Sequence, residues 1–305
     1  MLSVVIPAFN EEKMIPLIAR EVGGVLFDAR IDCEIIFVDD GSKDKTWRNI
    51  KALSKANEMI VGVHLSRNFG KESAMFAGLE VARGDAVVVM DADLQHPPEK
   101  IVEMYELWQE GFEVIEGVKN DRGEETKLKK KISEYFYKLM SKSSGFDMTG
   151  TSDFKLLDRK VVDTLNALPE RNVFFRALSF WAGYKHTTVK YSVDRRRVGN
   201  SKWSKKALVS YAINNIMSFT SAPLQIVTIL GVVTLVISLV MSIVAIVQKI
   251  MGSALGGFTT VIILLLLIGS IIMISLGIIG SYIAKIYDEV KGRPKFIISE
   301  ITNRE

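Results

Sequence analysis

Asp91, Asp93 and Gln95 alternate through the end of an apolar run, Ala86-Val87-Val88-Val89-Met90-Asp91-Ala92-Asp93-Leu94-Gln95. Two carboxylates and an amide at this spacing form a ligand set for a hard divalent cation, Mg²⁺ or Mn²⁺. Oxygen donors favour such ions, and two acids brought together repel unless a cation lies between them. The run is valine-rich and too short for a good helix, so it reads as a buried strand. Side chains alternate along a strand, which would put Asp91, Asp93 and Gln95 on one side at its carboxyl end. The spacing also allows a plainer arrangement, in which one acid caps the next helix and the other is solvated.

Strands that end in ligands need neighbours to position them, and the preceding residues supply three. Ser3-Val4-Val5-Ile6-Pro7-Ala8-Phe9-Asn10 reads as a strand running into a turn, with helical periodicity from Glu11 to about Phe27. Cys33–Val38 is a second strand, closed by Asp39-Asp40-Gly41-Ser42 and followed by a helix to about Asn57. Ile60–Leu65 is a third, followed by Ser66-Arg67-Asn68-Phe69-Gly70-Lys71 and a helix through Met75, Leu79 and Val81. After the Asp91 strand, Pro97-Pro98-Glu99 opens a helix, as proline does in a first turn. This alternation implies an α/β fold with a doubly wound, mainly parallel sheet.

Ligands of such sheets bind beyond the carboxyl ends of the strands. Here those ends carry Asn10-Glu11, Asp39-Asp40, Arg67-Asn68 with Lys71, and Asp91 with Asp93. Acids at these places can accept hydrogen bonds from a base and a ribose, while Lys71 and a divalent ion neutralise a diphosphate. Neither a glycine-rich dinucleotide pattern nor a Walker-type phosphate loop follows the first strand, so the ligand indicated is a nucleotide-sugar.

The 305 residues divide unevenly in charge. Ala207 to Gln248 holds no Asp, Glu, Lys or Arg, and Lys249 is the only charge before Lys285. Within this region 224–247 and 258–284 each exceed the roughly 20 apolar residues that cross a bilayer, predicting two transmembrane helices. Arg195, Arg196, Arg197, Lys202, Lys205 and Lys206 precede the pair, and Lys285, Lys291, Arg293 and Lys295 follow it. The positive-inside rule then places both flanks, and so both termini, in the cytoplasm of a multi-pass membrane protein. No cleavable signal sequence precedes the first strand. The single Cys33 suits a reducing compartment. A net charge of +4 is accounted for by the membrane flanks and gives no case for nucleic acid. Leu128, Ile132, Tyr135, Phe136 and Leu139 share one helical face among lysines, which suits either the membrane surface or the domain itself. His64, His96 and His186 lack metal-ligand spacing and are assigned no chemistry.

Four segments together resemble the successive motifs of family-two inverting glycosyltransferases of the GT-A fold: Val4–Glu11, Val38–Ser42, Arg67–Lys71 and Asp91–Glu99. Within that family the likeness is to the polyprenyl-phosphate glycosyltransferases, and it covers essentially the whole chain. The resemblance implies a nucleotide-sugar site that includes Pro7, Ala8, Asn10, Glu11, Asp39, Lys71 and Asp91. In it Asp39 contacts the base, Asp91 the ribose or metal, and Asp93 and Gln95 the metal on the donor diphosphate. Thr151–Arg159 resembles the acceptor-side segment, with Asp153 the candidate base. Arg195-Arg196-Arg197-Val198-Gly199-Asn200-Ser201-Lys202 matches the family's Arg-x-x-Gly-x-Ser-Lys pattern in part, which makes Arg196 or Arg197, with Ser201 and Lys202, ligands of the acceptor phosphate. Either arginine fits, and the same cluster also serves as a topology determinant.

The organisation so implied is a GT-A domain at 1–200, an amphipathic juxtamembrane segment at 201–222, two transmembrane helices within 223–285, and a cytoplasmic tail at 286–305. The reaction implied is transfer of one sugar, from UDP-glucose or UDP-N-acetylglucosamine, to polyprenyl (undecaprenyl) phosphate for cell-envelope glycan modification. The Gln-x-x-Arg-Trp signature of processive synthases is absent. A membrane-tethered nucleotide-sugar binding protein would need no acceptor arginines, and a lipid-carrier flippase component would need a polar path through the spans. A homo-oligomer is compatible with the sequence and not specified by it.

Overall fold

The computed structural model describes residues 1–119, 152–170, 174–192, 222–251 and 257–304. The chain divides into two compact units, Met1–Ala207 with Pro294–Glu305, and Leu208–Arg293. The lysine-rich helix at 127–142, the arginines 195–197, Ser201, Lys202 and nearly all of 201–222 lie outside the described residues.

Four parallel strands form the centre of the first unit: β1 (Leu2–Ala8), β2 (Cys33–Asp39), β3 (Ile60–Leu65) and β4 (Ala86–Val89). β1, β2 and β4 are buried at every residue, which explains why they read as continuous apolar runs rather than alternating ones. The crossovers are α1 (Ile15–Asp28), α2 (Thr46–Ala56) and α3 (Lys71–Val81). α1 has a proline in its first turn and buries Ile15, Ile18, Val22 and Leu26, a stripe at helical spacing. It begins at Ile15, later than the periodicity from Glu11 suggested, because Glu11 gives its N–H to Thr46 Oγ1 and its carbonyl to the N–H groups of Met14 and Ile15. In α3, Gly78 permits close packing on the sheet, since a Cβ there would lie 2.2 Å from Val5 Cγ1.

After α4 (Glu99–Gln109) come β5 (Val114–Lys119), β6 (Lys155–Asp158), α5 (Arg159–Ala167), α6 (Phe175–Trp181) and β7 (His186–Tyr191). The sheet order is β7-β5-β6-β4-β1-β2-β3-β8, so the strand order reverses between β1 and β4. β6 runs antiparallel to both β4 and β5. Its amino end therefore shares an edge with the carboxyl ends of the parallel strands.

β8 (Ile298–Thr302) lies in the segment read from sequence as a tail. It pairs antiparallel with β3, so part of that tail is an edge strand of the first unit. The alternation that would reveal a strand is broken by Ser299 and Glu300, which face polar partners: Ser299 Oγ donates to His64 O, and Glu300 accepts from Trp47 Nε1 and pairs with Lys51. Asn303 ends the strand in a left-handed conformation, at φ 56°, and its Nδ2 donates to the carbonyls of Ser54, Asn57 and Ile60. Arg304 forms an ion pair with Glu34.

The second unit holds α7 (Ala222–Ile250) and α8 (Phe258–Val290), of 29 and 33 residues. Pro223–Gln248 and Leu267–Val290 are long and apolar enough to cross a membrane. Hydroxyls in these helices are turned back on their own backbone, as in Thr228 to Leu224 O, Thr234 to Leu230 O and Ser275 to Ile271 O. In hydrocarbon such internal satisfaction is required of a polar group. The second helix runs to Val290 because Lys285, Asp288 and Glu289 tolerate helix once the apolar run has ended.

Replacing Asn303 by alanine removes three donated bonds and places a Cβ-bearing residue without a side-chain acceptor partner at positive φ. The expected loss is about 1–3 kcal/mol. Denaturant unfolding of the full chain in detergent checks it, and Asn303→Gly, which relieves the backbone strain but not the lost bonds, should fall between the two.

Candidate functional site

β4 stops at Val89, and residues 91–95 turn rather than continue the strand. Met90 N still donates to Val5 O, but Asp91 N donates to His96 Nδ1 at 3.3 Å and Gln95 N to Asp93 Oδ1 at 3.1 Å. Leu94 lies at φ 53°, and Pro97 and Pro98 have no N–H for a ladder. The expected strand alternation of Asp91, Asp93 and Gln95 is therefore corrected: local side-chain acceptors capture the backbone donors that a longer strand would use.

The register places the next residue. Val89 of β4 pairs with Lys155 of β6, and two residues beyond the ladder on either strand lie Asp91 and Asp153. Beyond the ladder the chain turns, and these two carboxylates, 62 residues apart in sequence, come within reach of one ammonium. Lys71, the first residue of α3, fills the gap with Nζ 2.6 Å from Asp91 Oδ1 and 2.5 Å from Asp153 Oδ2. Arg176 of α6 grips Asp153 from both oxygens, Nε to Oδ1 at 2.7 Å and Nη2 to Oδ2 at 2.9 Å. The result is a row of alternating charge: Asp91, Lys71, Asp153, Arg176.

Asp153 is 5 % exposed. Burial alone would raise its pKa, but the Arg176 and Lys71 charges outweigh that and hold it well below the usual carboxylate range. Burial likewise works against the Lys71 ammonium, and the Asp91 and Asp153 charges reverse the effect and raise its pKa. A carboxylate so paired is a weak proton acceptor.

Lys71 is held in place by the strand ends on either side. Asp40 accepts from Phe69 N at 2.7 Å and Gly70 N at 2.9 Å, fixing the loop that starts α3. Gly41 lies at φ 66° where a Cβ would meet the Arg67 backbone at 2.5 Å, so only glycine lets the two loops touch. Asp39 is fully buried and turns elsewhere, accepting from Ser42 N at 3.2 Å and from His64 Nδ1 at 2.7 Å. A carboxylate can only accept, so the His64 proton sits on Nδ1. Trp47 stacks on His64 with ring centroids 4.8 Å apart, and Glu300 of β8 holds the Trp47 indole. Asn10 joins the first loop to the second, with its N–H on Ser42 Oγ and its Oδ1 on Lys43 N. Pro7 and Ala8 end β1 beside Val38 and Asp39.

Among the expected site residues, the structure brings Asp91, Lys71 and Asp153 into one contact and groups Asn10, Glu11 and Asp39 along neighbouring strand ends. Asp93 and Gln95 lie in the turn after Asp91. Asp91 Oδ1 is buried and lies 2.6 Å from Lys71 Nζ. Among the described residues no three His, Cys, Asp or Glu side chains converge on one point. The oxygen donors on offer are those of Asp91, Asp93 and Gln95 in one short turn, the chemistry that suits a Mg²⁺-like ion, which takes one or two carboxylates and completes its shell from substrate phosphates and water.

Sequence reasoning missed Arg176, Glu72, His64 and His96. His96 is 4 % exposed, stacked on Phe154 at 4.8 Å, and accepts the Asp91 N–H. Glu72 Oε2 accepts from Phe175 N at 3.0 Å, at the start of α6. Burial, then the Asp153 charge, push the Glu72 carboxyl up to about 7 against the pull of that N–H, Lys71 and Arg176. None of these roles has a local sequence signature, because each depends on a partner from another strand end.

The family of this assembly follows from comparison with known proteins. The model for glycosyl transferase family 2 matches residues 3–165. This chain belongs to glycosyltransferase family 2. It is 38 % identical over 306 residues to an uncharacterized glycosyltransferase of Synechocystis, covering 100 % of this chain and 96 % of that protein. It is 37 % identical to a prophage bactoprenol glucosyl transferase homolog of Escherichia coli (98 % and 99 % covered) and 38 % identical to the bactoprenol glucosyl transferase of Shigella phage SfII (98 % and 97 %). In fold it is similar to glucosyl-3-phosphoglycerate synthase of Mycobacterium tuberculosis, solved with Mn²⁺, UDP and phosphoglyceric acid, at TM-score 0.53 and 21 % identity over 71 % of this chain and 76 % of that one.

The Glu72 carboxyl gives a pH signature. Between the ordinary glutamate value of 4.5 and about 7 the folded chain keeps a proton that the unfolded chain has released. This group therefore lowers stability progressively as pH rises through that window, and not below it. Glu72→Gln keeps an acceptor for Phe175 N and removes the titration. The melting temperature of the variant relative to the native chain should rise from pH 5 to pH 8; an offset independent of pH would contradict the assignment.

Proposed function

We propose that this glycosyltransferase moves one glucose from UDP-glucose to polyprenyl phosphate, with inversion, on the cytoplasmic face of the cell membrane. The observation that carries the reading is the Asp91–Lys71–Asp153–Arg176 row in a chain that bactoprenol glucosyl transferases match over nearly its whole length. A phosphate monoester is largely ionised near neutral pH, so the nucleophile needs no base. Its oxygen attacks the anomeric carbon, the bond from that carbon to the diphosphate oxygen breaks, and the nucleoside diphosphate departs with the electron pair. The protein's work is then alignment and charge stabilisation.

In this reading Asp39, Asn10, Glu11, Pro7 and Ala8 form the nucleoside wall, and Lys71 faces the departing diphosphate. Asp91, Asp93 and Gln95 would hold a divalent ion, Mg²⁺ or Mn²⁺. Such an ion neutralises charge on the leaving group. Asp153 serves as the fixed anion that keeps two cations in register. Arg196, Arg197, Ser201 and Lys202 would gather the lipid phosphate at headgroup level, where paired guanidinium donors suit phosphate.

The fold supports the topology. Residues before α7 and residues after α8 enter one sheet through the β3–β8 pairing. That pairing supports a two-helix hairpin that returns the chain to the side of the membrane it left, and the basic flanks favour the cytoplasm as that side.

The test is purified full-length protein with labelled UDP-glucose and polyprenyl phosphate in detergent. Label should pass to the lipid phase and should require a divalent ion. Asp93→Ala should abolish transfer and weaken Mn²⁺ binding in the presence of UDP, while the melting temperature stays near that of the native chain. Full transfer in excess chelator would contradict the metal, and release of free glucose with no lipid product would contradict the acceptor.

A further inference from the structure

We infer that His64 is a positioning residue of the donor site, holding the Asp39 carboxylate on one side while β8, the strand beyond the apolar helices, holds His64 on the other. This deepens the donor half of the function proposed above and rests on it. The strand register carries the inference. Ala8 of β1 pairs with Asp39 of β2, Asp39 with His64 of β3, and His64 with Glu300 of β8. Residues in one row across a pleated sheet share a face. The row therefore runs from the nucleoside wall at Ala8 to the edge strand at Glu300. Trp47, the second residue of α2, closes its far end: the indole lies on the His64 ring with centroids 4.8 Å apart and planes 16° apart, and Nε1 donates to Glu300 Oε2 at 3.2 Å. Ser299 Oγ adds a bond to the His64 carbonyl at 3.0 Å.

Asp39 has no exposed surface, so it acts on a nucleoside through the groups it orders. Its Oδ1 accepts from Ser42 N, Ser42 Oγ accepts from Asn10 N, and Asn10 Oδ1 accepts from Lys43 N. These bonds tie the loop after β1 to the loop after β2, the two loops assigned to the nucleoside. The Ser42 bond to Asp39 is the longer, 3.2 Å, and the His64 bond the shorter, 2.7 Å, so His64 sets how the carboxylate is turned. A buried carboxylate is costly unless its lone pairs are met. Without the His64 N–H it would turn toward another donor and slacken its hold on Ser42. A pair that served stability alone could be replaced by apolar residues of the same shape. A charged pair beneath a ligand-binding strand end is suited instead to fixing the polar loops above it.

The experiment measures UDP binding to the full chain in detergent with Mn²⁺, then steady-state transfer with donor and polyprenyl phosphate varied in turn. His64→Phe keeps a ring against Trp47 and removes the N–H to Asp39. It should weaken UDP binding and raise donor KM about tenfold, the loss expected of a hydrogen bond to a charged group. Acceptor KM should stay within about twofold of the native value. His64→Asn sets an amide N–H near the place of Nδ1 and should recover UDP affinity to within about threefold of native, although it gives up the stack. His64→Gln, whose amide lies one methylene further out, should repeat the donor loss and serves where His64→Phe fails to fold. Trp47→Ala should give a smaller shift in the same two donor parameters. Native UDP affinity in both His64→Phe and His64→Gln overturns the inference, as does an equal rise in donor and acceptor KM. A loss in His64→Asn as large as in His64→Phe overturns it too, because it would place the effect in packing on Trp47. A native chain that binds no UDP would overturn the donor reading beneath it. One that binds UDP and transfers nothing to the lipid would overturn only the transferase reading, since UDP affinity still reads the effect of His64.

Discussion

The structure depends on two opposed carboxylates at one sheet edge. Pairing β6 antiparallel to β4 leaves Asp153 just before the ladder on one strand and Asp91 just after it on the other, both in contact with Lys71. Two unit charges about 5 Å apart repel by about 3 kcal/mol at an effective dielectric of about 20. A single ammonium between them turns that repulsion into two attractions, and Lys71 is that ammonium. Its position explains the otherwise separate features around it. Asp40 fixes the loop before it, Gly41 lets that loop approach, and Gly78 lets its helix lie close against β1. A carboxylate between two cations is suited to holding them, and poorly suited to taking a proton.

The four parallel strands and the ligand-bearing ends were legible in the sequence because each signal is local: a buried apolar run followed by turn-forming acids. The end of β4 was legible in composition but not in shape. Asp93 and His96 take the backbone donors of Gln95 and Asp91, and side-chain capture of that kind has no periodicity to betray it. Arg176 was invisible for a different reason. Its partner is Asp153, its helix is anchored by Glu72 and Lys155, and all three lie on other elements. β8 was hidden because it is short, half polar, and separated from β3 by more than 230 residues, including both apolar helices.

That last strand braces the first unit from beyond the apolar helices in sequence. Glu300 holds Trp47, Trp47 stacks on His64, and His64 donates to Asp39, so residues beyond the apolar helices brace the wall assigned to the nucleoside. The helices are thus an insertion between β7 and β8 of one sheet, and the sheet is incomplete until the chain has come back.

The central claim is that transfer proceeds without proton abstraction, with Asp153 ionised and fixed throughout. The solvent deuterium isotope effect on single-turnover transfer to polyprenyl phosphate tests it most directly, because a base removing a proton in the transition state slows in heavy water. The account predicts an effect near unity. A large normal effect that disappears in Asp153→Asn would contradict it and make Asp153 a general base.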